Sequence, residues 1–314
     1  MQHLTNNSML EKKYRNNSPL VSLLIITYNQ AHFVHETLRS ALEQDYENIE
    51  IVVADDGSID GTVDIILEYA RQYPGKIVPL TGGSNLGITG NSNRGLLACQ
   101  GKYVAFMGGD DVLLPQKISA QVNKLESFPS FALCYHDVEV FDSTTGSKMY
   151  NWFDRYRYRM GGAETVVKFG TFFCATSVMI RKPTNVQLRF NDQVPVASDW
   201  LFWFDVLETQ NGALTYVDAT LARYRRHDAN VTSNKSYHLH DMLMSISFMK
   251  ASGYYRNACR QKEAQIYFMD CVEKVRQFRL KSALQMFFLM MRTCHCMPVG
   301  PARLLVSKLF RLKL

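Results

Sequence analysis

"PLVSLLIITYN", residues 19–29, is an apolar run broken only by Ser22 that stops on Thr27, Tyr28 and Asn29. It lacks polar–apolar alternation, so it reads as a strand covered on both faces, as inside a parallel sheet flanked by helices. The text to either side fits that reading. Residues 1–18 are polar and Asn-rich, which predicts a disordered lead-in. Downstream, "AHFVHETLRSALEQ" (31–44) has helical spacing that can put Phe33, Leu38 and Leu42 on one face. "IEIVVADDGSIDGT" (49–62) is a second strand breaking into a turn, and "TVDIILEYARQYP" (62–74) is a helix that ends by Pro74. "KIVPLTGG" (76–83) is a short strand, "NSNRGLLACQ" (91–100) begins a helix, and "KYVAFMGGDD" (102–111) is the next strand. Strand–helix alternation of this kind predicts an α/β fold with a mostly parallel, Rossmann-like sheet and helices on both faces.

After Pro115 the pattern loosens. "PQKISAQVNKLESFP" reads as a helix, "FALCYHDVEVFD" as a strand, and residues 143–165 as a mobile loop. "ATSVMIRK" is a strand, "ASDWLFWFDVLETQ" starts a helix, and "ALTYVDATLARYRRH" is another strand segment. From Ser236 onward the chain reads as helical.

Composition sets the bounds. The 314 residues are 46% hydrophobic and 20% charged, enough for a sizeable core, and the net charge is +6. Much of that excess falls late, on Lys274, Arg276, Arg279, Lys281, Arg292, Arg303, Lys308, Arg311 and Lys313, which implies an anionic partner. There are seven cysteines and no C-x-x-C pair, and the first residues have no apolar core of signal-peptide type, so a reducing cytosol is expected. Cys294-His295-Cys296 invites a zinc reading but lacks a second ligand pair at zinc spacing. "SALQMFFLMM" (282–291) is too short to span a membrane.

In an open parallel sheet, ligands bind outside the carboxyl ends of the strands. Three predicted strand ends carry polar residues: Thr27-Tyr28-Asn29, Asp55-Asp56-Gly57-Ser58 and Gly109-Asp110-Asp111. Asp55 and Asp56 also suit a turn or helix cap, and Asp111 suits an N-cap for the helix near Pro115. Asp110 is then left to face the crevice, where a divalent metal would keep it ionised, and Mg²⁺ or Mn²⁺ with a diphosphate suits such oxygen ligands. Gly109 beside it lets a bulky ligand approach the backbone. No G-x-x-x-x-G-K-[ST] occurs, and "GGSNLGITG" is not a G-x-G-x-x-G turn at a strand–helix junction, which argues against P-loop and simple dehydrogenase readings.

As a set, "VSLLIITYNQ", "SALEQDYENIEIVVADDGSIDGT", "NLGITGNSNRGLLACQGKYVAFMGGDD" and "ASDWLFWFDVL" resemble the family 2 glycosyltransferases of GT-A fold, in order and over roughly residues 19–230. The resemblance implies a GT-A catalytic domain at 19–235, with a nucleotide-binding half (19–115) and an acceptor-binding half (116–235). Helical residues 236–314 follow as a basic, amphipathic C-terminal extension. It implies that Thr27, Tyr28 and Asn29 lie near the base and ribose of a nucleotide-diphospho-sugar, a UDP-sugar first among candidates. Asp55 would accept from the base and Asp56 would support the turn. Asn85 and Gly87 would lie under the nucleotide, and Asn93 would be the asparagine of the family's Arg-Asn pair. Two positions depart from the pattern: Ser92 replaces that arginine, and Gly108 replaces the first carboxylate of Asp-x-Asp. Asp110 remains as the metal ligand, for Mn²⁺ or Mg²⁺.

Asp199 matches the family's catalytic base, although Ser198 or Asp199 is also a good helix start. An inverting transfer needs one such carboxylate to deprotonate the attacking hydroxyl. In the segment 223–227, Arg225 and Arg226 are expected near the diphosphate and His227 near the metal, against a reading as a basic solvated edge. Trp200 is carried as a substrate contact, though with Trp203 and Phe204 its spacing also suits a core.

The C-terminal stripe Leu304, Leu305, Leu309 and Leu312 suits an interfacial helix on anionic lipid, or else a packed subdomain or homodimer contact. The combined expectation is a metal-dependent inverting glycosyltransferase acting on a saccharide or lipid-linked saccharide in bacterial surface polysaccharide synthesis. It would be cytoplasmic and peripheral on the inner membrane face, with no nucleic-acid partner. The competing readings are a non-catalytic nucleotide-sugar binding protein and a nucleotidyltransferase. The second should carry a Gly-rich phosphate loop after the first strand, and "TYNQAHF" is not one.

Overall fold

The computed structural model describes residues 18–228, 230, 235–277 and 279–293. Residues 1–17 of the predicted disordered lead-in, the Cys294-His295-Cys296 triplet and the stripe from Leu304 to Leu312 lie outside the described residues.

The apolar runs do become buried strands. β1 (Val21–Thr27), β2 (Ile49–Asp55), β3 (Ile77–Leu80) and β4 (Tyr103–Gly108) alternate with α1 (Ala31–Leu42), α2 (Thr62–Gln72) and α3 (Gly87–Ala98). α1 buries Val34, Leu38 and Ala41. Phe33 falls on its shoulder instead and meets the His227 ring, with centroids 4.9 Å apart. α3 starts at Gly87, four residues before the expected point, because Gly87 takes a left-handed φ of 73° at the turn into the helix.

The second half contributes β5 (Val112–Leu113), α4 (Lys117–Ser127), β6 (Phe131–Asp142), β7 (Lys148–Asn151), α5 (Trp152–Arg155) and α6 (Ala163–Phe169). After them come a 3₁₀ turn (Ala175–Ser177), β8 (Met179–Arg181), α7 (Asp199–Thr209) and β9 (Ala213–Arg226). The expected loop at 143–165 is therefore largely structured. β7 pairs with β6, and the Asp137 carboxylate anchors α5 by accepting from Phe153 N at 2.9 Å and Asn151 Nδ2 at 2.8 Å. The polar residues that suggested a loop are the ones that tie this segment down.

All nine strands share one sheet in the order β3-β2-β1-β4-β8-β6-β9-β5, with β7 attached to β6. The first four strands are parallel, and beyond β4 the sheet becomes mixed because β8 runs antiparallel to both β4 and β6. In register, Thr27 sits beside Asp55 and Ile26 beside Gly108, so the three polar strand ends form one edge. One core layer lies under α1, α2 and α4, with Leu23, Ile25 and Leu38 at its centre. The other lies under α3, α6 and α7 and holds Leu24, Phe106, Phe202 and Trp203.

Three helices close the described chain: α8 (Lys235–Ala251), α9 (Arg256–Arg276) and α10 (Leu280–Thr293). Ile246, Met249, Ala258, Cys259 and Ile266 join the second core layer, so α8 and α9 pack on the sheet domain. No described helix is long and apolar enough to cross a membrane.

Candidate active site

β1 ends where the chain must turn out of the sheet, and Asn29 makes that turn with a φ of 51°. The turn is pinned to the loop after β2: Asn29 N donates to Ser58 Oγ at 2.7 Å, Ile59 N to Asn29 Oδ1 at 3.0 Å, and Ala31 N to Asp60 Oδ2 at 3.0 Å. Tyr28 is left projecting, half exposed. Asp55 is fully buried and closes its own turn, accepting from Gly57 N at 3.2 Å and Ser58 N at 2.9 Å and bonding the Ser58 hydroxyl. Asp56 reaches across to accept from Leu86 N at 2.7 Å, which fixes the loop carrying Asn85 and Gly87. Asn85 Oδ1 in turn accepts from Gly87 N at 3.0 Å. Thr27, Tyr28, Asn29, Asp55, Asp56, Asn85 and Gly87 thus belong to one connected rim.

Asn93 does not join that rim. Its amide donates to Phe190 O at 2.9 Å and to Asp192 Oδ1 at 3.0 Å and accepts from Phe190 N at 2.8 Å, so it braces the segment before α7. The arginine at this edge is Arg94, which the sequence reading passed over. Its guanidinium bonds the backbone carbonyl of Asp55, with further donations to Leu80 O at 3.2 Å, Gly82 O at 3.1 Å and Asn91 Oδ1 at 2.8 Å. The signal was present in "NSNRG", where Arg94 lies two positions after Ser92.

The third strand end answers why Gly109 precedes two carboxylates. A Cβ on Gly109 would lie 2.6 Å from Thr27 Cβ and 2.4 Å from Gln30 Oε1, so only glycine lets β4 pass this close to β1. Thr37 holds the following backbone, its hydroxyl 2.9 Å from Gly109 O and 2.8 Å from Asp111 O. Asp111 does not cap α4, which begins six residues later at Lys117. It is buried, bonds the Thr176 hydroxyl and accepts from Arg225 N at 3.1 Å. Burial, and then the charge of Asp110 beside it, push its carboxyl well above the usual range. The structure therefore makes Asp111 a support rather than a surface that a donor can touch.

Asp110 turns the other way. Its Oδ2 lies 2.9 Å from His227 Nε2 and 3.3 Å from Asn230 Nδ2. Asn230 Oδ1 accepts from His227 N at 2.7 Å, which closes the loop after β9 onto Asp110. Asn230 was not anticipated from the sequence. Arg225 is buried rather than on a solvated edge: its Nε donates to Asp110 O at 2.7 Å and its Nη2 pairs with Glu36. Phe33 and Phe141 lie under its guanidinium at 4.9 and 4.6 Å. Arg226 lies 5.3 Å from the Tyr224 ring.

One carboxylate and one imidazole on adjacent elements fit a divalent ion that completes its shell with phosphate oxygens and water. Thr27 Oγ1 and Gln30 Oε1, packed against Gly109, are buried without a hydrogen-bond partner among the described residues. No third His, Cys, Asp or Glu joins the pair among the described residues.

Asp199 opens α7 and receives Trp200 N at 2.8 Å on its own Oδ1. Its entry to the helix is braced from two directions. Thr89 on α3 bonds Ser198 Oγ and Val194 O, both at 2.8 Å, and Asp241 on α8 accepts from Val196 N and Ala197 N at 3.0 and 2.8 Å. Asp199 lines a cavity of about 430 Å³ together with Cys174, Trp200 and Tyr224. Burial raises the Cys174 thiol pKa first and the charge of Asp111 adds to it, a backbone hydrogen bond with Thr176 opposes, and smaller effects come from Asp199, which raises it, and Arg226, which lowers it. Trp200 is nearly buried and donates from Nε1 to Val166 O at 2.9 Å, so it combines the core reading with a place in the cavity wall.

The family model described as glycosyl transferase family 2 matches residues 22–187. Among curated relatives, the Mycobacterium tuberculosis protein Rv1520 is 31% identical over 66% of this chain. The chain spans only 59% of that relative's length. The Escherichia coli UDP-Glc:alpha-D-GlcNAc-diphosphoundecaprenol beta-1,3-glucosyltransferase WfaP is 28% identical over 69% of this chain and 81% of its own. Among solved structures, Staphylococcus aureus TarS with UDP-GlcNAc aligns at a TM-score of 0.61 and 16% identity, covering 79% of this chain and 71% of that one. The Pyrobaculum calidifontis mannosyltransferase PcManGT, with GDP-Man and Mn²⁺, aligns at 0.60 and 15% identity, covering 96% of this chain and 82% of that one. These likenesses establish a GT-A fold for the chain.

Proposed function

The chain belongs to glycosyl transferase family 2, and from that premise we propose that it is a metal-dependent, inverting glycosyltransferase using a nucleotide-diphospho-sugar. The observation that carries this reading is the placement of two carboxylates with separate tasks. Asp110 lies at the sheet edge paired with His227, and Asp199, at the start of α7, lines the cavity described above.

In this reading the nucleotide lies along the rim from Thr27 to Asn29 and over Asp55, Asp56, Asn85 and Gly87. Asp55 keeps its turn-forming bonds, so contact with a base requires the Ser58 hydroxyl to rotate aside. Asp110 and His227 would hold Mn²⁺ or Mg²⁺, whose contribution when bound is to neutralise charge on the departing diphosphate. Arg225 keeps the Asp110 backbone in place, and Arg226 adds positive charge near Cys174 in the wall of the Asp199 cavity.

Asp199 takes the proton from the acceptor hydroxyl as that oxygen bonds to the anomeric carbon and the bond from that carbon to the diphosphate oxygen breaks. Attack from the face opposite the leaving group inverts the anomeric centre. A UDP-sugar donor and a saccharide or lipid-linked saccharide acceptor are the first substrates to test, supported by the relative WfaP for both and by the UDP-GlcNAc bound to TarS for the donor. Bacterial polysaccharide synthesis at the inner face of the cytoplasmic membrane fits the exposed apolar side chains Leu284, Phe288, Leu289 and Met291 on α10, bounded by Lys281 and Arg292.

The test is release of UDP from a panel of UDP-sugars with Mn²⁺, in wild type and Asp199→Asn, beside calorimetric UDP binding. A transferase loses turnover in Asp199→Asn by a factor of about 10² or more while keeping UDP affinity. A binding protein with a degenerate cleft binds UDP and turns over in neither form.

A further inference from the structure

The cavity under Asp199 is walled on one side by Trp152, Phe173 and Trp200 and on the other by Met242 of α8 and Ile266 and Met269 of α9. A site for a free, hydrophilic saccharide would gather several polar groups for its hydroxyls. This one is mostly apolar, with Thr171, Tyr224 and Gln265 as its neutral polar side chains, and among the described residues the only charged side chains lining it are Asp199 and Lys262.

Lys262 needs an explanation. It is partly buried, and desolvation lowers its pKa below the usual lysine value. It pairs with no carboxylate among the described residues, and its Nζ lies 5.8 Å from the centroid of the Trp200 ring. The ammonium sits against the turn after α6, where a Cβ on Gly170 would lie 3.0 Å from Nζ. A cation held this way in an apolar wall is costly unless an anion meets it. Asp199 is reserved on the proposed mechanism for the acceptor proton.

We propose that this cavity is the acceptor subsite and that the acceptor is an anionic amphiphile, a saccharide joined to a lipid through phosphate or diphosphate. Its phosphate meets Lys262, its sugar hydroxyl reaches Asp199, and its first apolar carbons lie on Met242, Ile266 and Met269. The cavity, at about 430 Å³, is the size of a single small-molecule site, so a long lipid must leave it. Met269 marks the exit: it lines the cavity yet is 66% exposed. α10 packs on α9 and exposes Leu284 and Phe288, an apolar strip suited to the membrane that would hold the rest of the lipid. The proposal rests on the glycosyltransferase reading and deepens it by assigning the acceptor class.

The probe is farnesyl phosphate, titrated below its aggregation limit into the full chain against farnesol, with fluorescence read from Trp152 and Trp200 in the cavity wall. Calorimetric UDP binding with Mn²⁺ runs in parallel as the check on folding and on the donor site. We expect saturable binding of farnesyl phosphate that Lys262→Met weakens about ten-fold or more, since one charge-assisted contact is lost. Lys262→Arg should stay within about three-fold of wild type, because the charge is retained. Farnesol should bind more weakly and ignore both substitutions. Equal affinity for farnesyl phosphate and farnesol, or a Lys262→Met protein that binds the phosphate as wild type does, overturns the proposal even where UDP still binds. Failure of wild type to bind UDP, with the Lys262-dependent phosphate binding intact, overturns the transferase reading instead and leaves an anionic-amphiphile site.

Discussion

Replacing Gly109 with alanine tests the construction of the sheet edge in a single atom. The backbone there is not left-handed, so alanine brings no conformational penalty and the effect is steric. The added Cβ would sit 2.6 Å from Thr27 Cβ, 2.7 Å from Thr27 Oγ1 and 2.4 Å from Gln30 Oε1. Carbon–carbon contacts are comfortable near 3.6 Å, so the Thr27 contact must open by about 1 Å. Gln30 can swing its amide away, but Thr27 Cβ is one bond from the β1 backbone, so either β1 or the end of β4 must move. Overpacking of this kind costs about 1–3 kcal/mol.

The β4 end carries Asp110, and a misplacement of about 1 Å at a binding centre costs up to about 10²-fold. Gly109→Ala should therefore lower the urea midpoint and weaken Mn²⁺-dependent UDP binding, measured by calorimetry, by about 10- to 100-fold. Adding Gln30→Ala should not rescue it, because the contact with Thr27 remains. Wild-type midpoint and affinity in Gly109→Ala, or full rescue by Gln30→Ala, would refute the claim that the close approach of β1 and β4 sets the position of Asp110.

Arg225→Lys should keep the charge but lose the paired bonds to Asp110 O and Glu36, weakening Mn²⁺-dependent UDP binding about ten-fold in calorimetry. Metal-independent binding should change little. Lys117 gives a pH-dependent prediction. It is fully buried on α4, its Nζ 3.0 Å from Gln121 Oε1, and burial lowers its pKa from 10.5 to about 7. A depressed folded pKa contributes stability that is present above the unfolded value and lost as pH falls through the folded one. Wild-type stability should thus decline from about pH 10.5 toward pH 7, with a ceiling of about 5 kcal/mol from this group. Lys117→Met should flatten that slope and raise the thermal midpoint most at pH 7 and below. A midpoint difference that does not change between pH 7 and pH 10 would sink the assignment.

Most of the sheet edge was legible in the chain. "PLVSLLIITYN", "IEIVVADD" and "KYVAFMGGDD" are apolar because both faces of their strands are covered, and that pattern is local. Polar residues at the ends of parallel strands then have to meet at one edge, which puts Thr27, Asp55 and Asp110 together. The helix at Asp199 was equally local, being written in "SDWLFWF".

Tertiary structure decided which side chains face the cleft. Asp110 and Asp111 are adjacent and chemically identical, and only the packing of Thr176 and Arg225 from distant elements buries one and leaves the other to pair with His227. Asn93 looked like a donor contact until the 190–192 segment claimed its amide. Arg94, Asn230 and Asp241 gave no periodic signal because their roles are hydrogen bonds to backbone or side chains far away in sequence. The same holds for Lys262, whose place beside Asp199 depends on α9 folding back against α6. Periodicity reports which face of an element is covered. It does not report what covers it, and at this site the covering chain sets each polar group's partner and charge.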